Sequence, residues 1–104
     1  MNIKLEINEF VRAFIESCDV DAHSRIIRML DSLCQYGHEL RMPHARPVAD
    51  GVHELRILGR ENIRIFYVFC RSHAVLFYAM NKKTQKLSKR DMRRITKMRK
   101  TVID

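Results

Sequence analysis

The sequence predicts an α+β domain: an N-terminal helical hairpin packed on a small antiparallel sheet, followed by a basic C-terminal helix. Three observations lead there. Up to Gly37, apolar residues recur at helical spacing. Between Val52 and Met80, β-branched and aromatic runs alternate with short turn signals. From residue 81 onward the chain turns strongly basic, on a pattern that again repeats every three or four residues.

The elements follow in order. Ile3–Ile7 alternates apolar and polar, which fits a short first strand or the lead-in to a helix. Asn8 is a suitable N-cap, with Phe10, Val11, Phe14 and Ile15 behind it, so a first helix is expected to end near Cys18. Asp19 or Asp21 caps a second helix, whose stripe is Ile26, Ile27, Leu30, Leu33 and Cys34 and whose end is Gly37. Residues 38–51 read as a loop, because Pro43 and Pro47 remove donors and Ala49-Asp50-Gly51 is a turn. That loop holds His38, Arg41, His44 and Arg46 and is placed to touch a ligand. Three strands are expected next, at Val52–Leu58, Asn62–Cys70 and His73–Met80. The register of the third stays open, since turns of two and three residues face Tyr78 in opposite directions. Ser88 and Asp91 form a capping box with Asp in place of Glu. The helix behind it carries a narrow seam of Met92, Ile95, Met98, Arg99 and Val102, with Arg90, Arg93, Arg94, Lys97 and Lys100 outside it. It can lie on the sheet, along nucleic acid, or against an acidic partner.

With 104 residues, the chain is expected to form one domain spanning 1–104. A charged fraction of 31% beside 46% hydrophobic residues belongs to a folded globule. No apolar run approaches the roughly 20 residues that span a bilayer, and no signal core precedes the first helix, so a cytoplasmic protein without membrane contact is expected. Cys18, Cys34 and Cys70 are odd in number and lack metal spacing, which reads as reduced structural thiols. The five histidines are scattered, and no phosphate loop, HExxH or CxxC occurs. Neither a metal nor a cofactor is implied.

Charge points toward a polyanion. Residues 1–80 hold ten basic and ten acidic side chains, so the net charge of +8 lies entirely in residues 81–104. Lys82, Lys83, Lys86, Lys89, Arg90, Arg93, Arg94, Lys97, Arg99 and Lys100 stand there against Asp91 and Asp104. Segregation of this kind is the footprint of nucleic-acid binding, the alternative being a solvated basic tail.

The stretch HELRILGRENIRIFYVF adds a second cationic feature. Turning at Gly59-Arg60-Glu61 pairs Arg56 with Arg64, so both emerge on one face while Leu55, Ile57, Ile63, Ile65, Tyr67 and Phe69 form the other. Like charges directly opposite are destabilising and call for compensation. Glu54, on the same face, supplies it as a surface ion pair; otherwise a phosphate bridges the two guanidinium groups. Together with Lys82, Lys83, Gln85, Lys86, Tyr67 and Tyr78, this inventory suits RNA cleavage without a metal. Such cleavage needs a base near the 2′-OH, cations around the phosphorane and a donor for the leaving oxygen. Lys83 and Glu54 are the candidate proton-transfer groups, and Arg56 and Arg64 the candidate phosphate ligands. The same residues equally suit a non-catalytic module that holds RNA or DNA.

The runs PHARPVADGVHELRILGRENIRIFYVF and VLFYAMNKKTQKLSKRD, in this order, resemble the RelE/HigB toxin superfamily, in its phage-derived HigB-like branch. The resemblance implies a compact RelE-like, microbial-RNase-like fold and a toxin of a toxin–antitoxin pair. It implies ribosome-dependent endoribonuclease activity on mRNA in the ribosomal A site, and inhibition by a helix-turn-helix antitoxin encoded nearby. Carried over by position, Arg56 falls where relatives place a cationic sheet residue facing the scissile phosphate, Arg64 on the arginine of the following strand, and Lys82, Lys83 and Lys86 in the basic loop before the last helix. Lys82, Lys86, Lys89, Arg90, Arg93, Arg94 and Lys97 of the basic end are the candidate RNA-binding residues. The chain departs from better-known members in having no Tyr or His-Tyr pair after the last strand. Glu54 also stands where some relatives carry lysine.

Overall fold

A computed structural model describes residues 2–84 and 86–102; Gln85 of the basic loop and Asp104 lie outside the described residues. The order is β1 (Lys4–Ile7), α1 (Glu9–Ser17), α2 (Val20–Tyr36), β2 (Ala45–Ala49), β3 (Val52–Ile57), β4 (Ile63–Cys70), β5 (His73–Asn81) and α3 (Lys89–Arg99). Both N-terminal caps are as read: Asn8 accepts from the Val11 amide and Asp19 from the Ala22 amide. Gly37 ends α2 with φ +53°, and a Cβ there would sit 3.3 Å from the Ile3 side chain, so glycine meets both demands.

The architecture is α+β, and the sheet is larger than the sequence suggested. It has five strands in the order β1-β5-β4-β3-β2. β1 joins β5 in parallel, which makes the sheet mixed, while every other pairing is antiparallel. The segment expected to be loop throughout contributes β2. Its Pro47 argues against a strand, yet proline is tolerated on an edge strand where no ladder donor is needed, and the register shifts beside it.

The hairpin pairs Ile57 with Ile63 and Arg56 with Arg64, as the turn predicts. The β4–β5 turn closes Cys70 on His73 and so contains two residues, with Arg71 at φ +58°. A bulge then shifts the register: Phe66 faces Tyr78 while Tyr67 faces Leu76. Phe77 and Tyr78 therefore both pack on the α3 side of the sheet.

Hydrophobic residues fill both faces. Val11, Ile15, Ile26, Leu30 and Leu33 of the helical hairpin close on Leu55, Ile57, Ile63, Ile65 and Leu76. On the other side Ile95 of α3, 1% exposed, packs with Val52, Phe66, Val68, Phe77 and Tyr78. Burying Ile95 contributes about 2 kcal/mol and fixes α3 to the sheet. This corrects one expectation. The face bearing the paired arginines is not an open cationic platform, because α3 and the segment leading into it cover much of it.

Candidate functional site

Strand alternation directs Glu54 and Arg56 of β3 toward α3, opposite Leu55 and Ile57. The ladders bring neighbours to them. Arg46 of β2 stands directly across from Glu54, and Arg64 of β4 directly across from Arg56. Three guanidinium groups converge on one carboxylate. Glu54 Oε1 lies 2.9 Å from Arg46 Nε and 3.9 Å from Arg56 Nε, and its Oε2 lies 3.6 Å from Arg64 Nε. The group carries a formal excess of two positive charges around Glu54.

Burial grades the members. The side chains of Glu54 and Arg64 have no exposed surface, that of Arg56 is 10% exposed, and that of Arg46 is 34% exposed. Burial pulls the Arg64 guanidinium below its ordinary value, with Glu54 acting the other way and Arg56 adding to the lowering. Guanidinium stays protonated in proteins, so the charge persists. Arg64 is thus enclosed rather than presented to solvent. Glu54, expected as a surface counter-ion or proton acceptor, is an interior carboxylate held by cations on three sides. Its position suits charge compensation better than proton transfer to an incoming hydroxyl. Arg56, nearly buried, donates through Nη1 to Met42 Sδ at 3.6 Å.

Arg46 falls in the segment expected to be loop. The signal was present in the alternation of Ala45, Arg46 and Pro47, but with no strand assigned there was no ladder to put Arg46 opposite Glu54.

The basic segment divides in two. Lys82 donates to Asp91 Oδ2 at 2.6 Å, and the same carboxylate oxygen accepts from the Ser88 amide at 3.0 Å. The Asp91 amide donates back to Ser88 Oγ, completing the capping box. Lys82, expected to contact RNA, instead ties the end of β5 to the start of α3. Its hydrogen bond is the first cause holding the Asp91 carboxyl below its ordinary value. By contrast Lys83, Lys86, Lys89, Arg90, Arg93, Arg94 and Lys97 are all exposed. They form a cationic surface beside the arginine cluster, with no buried role of their own.

Of the tyrosines, Tyr67 lies in the core against the helical hairpin, away from the arginines, and burial pushes its phenol up to about 12. It is no proton donor to the cluster. Among the described residues, no three His, Cys, Asp or Glu side chains gather closely enough to hold a metal ion. No described helix is long and apolar enough to cross a membrane.

Comparison with known proteins places the fold. A family model described as phage derived protein Gp49-like matches residues 13–100. No curated protein sequence matches the chain. Among solved structures, a double arginine-to-alanine mutant of the E. coli toxin RelE in the free state superposes with a TM-score of 0.69. That match covers 99% of this chain and 100% of the other at 8% identity. The fold is therefore RelE-like.

Proposed function

Because the chain belongs to the phage-derived Gp49-like protein family, we propose that it is the toxin of a toxin–antitoxin pair, cleaving mRNA in the ribosomal A site and so stopping translation. The observation that carries this reading is the convergence of Arg46, Arg56 and Arg64 on Glu54, graded from surface to interior, beside an exposed basic helix.

The chemistry is metal-independent transesterification. The ribose 2′-oxygen attacks the adjacent phosphorus, the bond to the 5′-oxygen breaks, and a 2′,3′-cyclic phosphate and a 5′-hydroxyl result. Charge builds on the phosphorane oxygens, and fixed guanidinium groups stabilise it without reorganising. Arg56 and Arg46, at the rim, contact that phosphate. Arg64 and Glu54 act through them as positioning residues, since a single interior carboxylate fixes the guanidinium planes. Lys83, exposed in the loop before α3, is the candidate for proton transfer. Lys86, Lys89, Arg90, Arg93, Arg94 and Lys97 hold RNA backbone electrostatically, with Lys82 securing the helix that presents them. A small antitoxin, helix-turn-helix in type, is the partner that restrains the activity, and the cytoplasm is where the ribosome is met.

Induced expression in a bacterium tests the proposal. Growth arrest with new mRNA 5′ ends inside reading frames is expected. Arg56→Ala should remove both, and Arg64→Ala should do so while remaining folded enough to bind ribosomes. A wild-type chain that leaves growth and mRNA intact overturns the reading, and a fully toxic Arg64→Ala overturns the role of the cluster. If the protein binds RNA yet never cleaves it, the non-catalytic binding module is the correct description.

A further inference from the structure

Beside β2, on the other side of Arg46 from the basic helix, lies a concavity of about 500 Å³ bordered by His38, Arg41, Met42, Arg46, Pro47 and His53. Its size is that of a small-ligand site. Its walls combine ring surfaces with cations. The His38 imidazole is stacked on Phe69, centroids 3.7 Å apart and planes at 29°. His53 lies against the same Phe69 edge-on at 5.2 Å and stacks on Tyr67 at 5.4 Å. His38 is otherwise exposed. An exposed side chain ordinarily samples several rotamers, whereas this one has a face held against a phenyl ring and borders the concavity. It is a ready stacking platform, and ordering it on binding costs little.

We infer that this concavity is a nucleobase subsite, taking one unpaired base of single-stranded RNA on the His38 imidazole while the attached phosphate lies toward Arg46 and Arg56. The inference rests on the RNA reading above and adds to it the place of a base. Three features carry it. Unpaired bases are characteristically recognised by stacking on His or aromatic rings with Arg nearby, the combination found here. Two contacts link the concavity to the arginine cluster: Arg46 borders the concavity and pairs with Glu54, and Met42 borders it and accepts from Arg56. Finally, burial holds His53 toward its neutral form. With its Nδ1 buried, the neutral ring adds an uncharged aromatic surface to the wall of the concavity.

The test is a titration of the full-length, isotope-labelled protein with single nucleotides, followed by NMR on the histidine ring signals. Nucleoside 5′-monophosphates should move the His38 and His53 ring resonances, purines more than pyrimidines because their stacking area is larger. Ribose 5-phosphate, which lacks a base, should leave them in place. His38→Ala should weaken nucleotide binding about tenfold and His38→Phe should restore it, as expected for stacking rather than for a structural histidine. Shifts reproduced by ribose 5-phosphate, or equal losses in both variants, overturn the subsite. A chain that cuts mRNA while its histidine signals ignore nucleotides loses the subsite and keeps the proposed activity. A chain whose histidines answer nucleotides but which never cuts mRNA keeps the subsite and loses the activity.

Discussion

Arg46 and Glu54 face each other across the β2–β3 ladder with Nε and Oε1 2.9 Å apart, and the carboxylate in that pair has no exposed surface. A surface guanidinium and an interior carboxylate are thereby joined at the edge of the sheet. Glu54 in turn meets Arg56 and Arg64, so one side chain decides whether three cations can share this space.

Removing that carboxylate leaves buried positive charge uncompensated. Glu54→Gln is expected to destabilise the fold by about 3–5 kcal/mol, the usual cost of breaking a buried ionic contact from one side. Arg46→Ala should cost less, because its side chain is one-third exposed and two other guanidinium groups remain near Glu54. Urea unfolding of the variants checks the order; a larger loss for Arg46→Ala would contradict it.

The Lys82–Asp91 contact predicts a pH dependence. Hydrogen bonding from Lys82 holds the folded Asp91 carboxyl below its ordinary value of 3.8. Its contribution is therefore complete above that value and lost as pH falls through the folded value. Asp91→Asn, which also weakens the capping box, should lower stability by about 1 kcal/mol at neutral pH. Thermal melts of wild type and variant should converge as the solution is acidified below about pH 4.

His53 acts in a higher window. Burial lowers its folded value below the ordinary 6.5, so the unfolded chain binds the proton more readily. The associated stability is full above 6.5 and declines as pH falls from there through the folded value. Wild type should lose more stability than His53→Phe between pH 7.5 and pH 5.5 in paired denaturant titrations, roughly the span in which an ordinary histidine titrates. Equal losses would mean that His53 is not the group responsible.

Ile95 is the interior anchor of α3, and truncating it should loosen the helix selectively. Ile95→Ala is expected to cost about 2–5 kcal/mol. Hydrogen exchange should quicken in α3 before it does in β4, whose residues are packed on both faces. Uniform acceleration would show that α3 and the sheet open together.

RNA affinity should report the exposed cations individually. Arg93→Ala with Arg94→Ala should reduce the salt dependence of RNA binding by about two phosphate contacts, whatever the RNA sequence. Lys82→Ala should act differently: its loss appears in the stability of α3, since its amino group already serves Asp91.

Local chemistry made most of the elements legible. Asn8, Asp19 and Ser88 cap their helices because their oxygens accept from nearby amides, an interaction spanning three residues. The Gly59 turn sets Arg56 opposite Arg64 for the same reason: a short turn settles its own register. What stayed open, as at Ile3–Ile7, or hidden, as at β2, depends on partners distant in the chain. β1 becomes a strand only by joining β5, far along the sequence, and β2 only through the β3 ladder that tolerates its proline.

The paired arginines mark the same division. Strand alternation alone determined that Arg56, Arg64 and Glu54 share one face, since successive side chains must point to opposite sides. Whether that face met water or protein could not follow from alternation. The tertiary structure decided it by seating Ile95 and α3 on the bulged Phe77-Tyr78 surface and by bringing Arg46 to the β2 edge. Burial then turned a face of like charges into a graded cluster around Glu54, with Arg64 inside and Arg46 at the surface. Periodicity is a property of the backbone and is written locally; solvent exposure is set by what the rest of the chain lays on top.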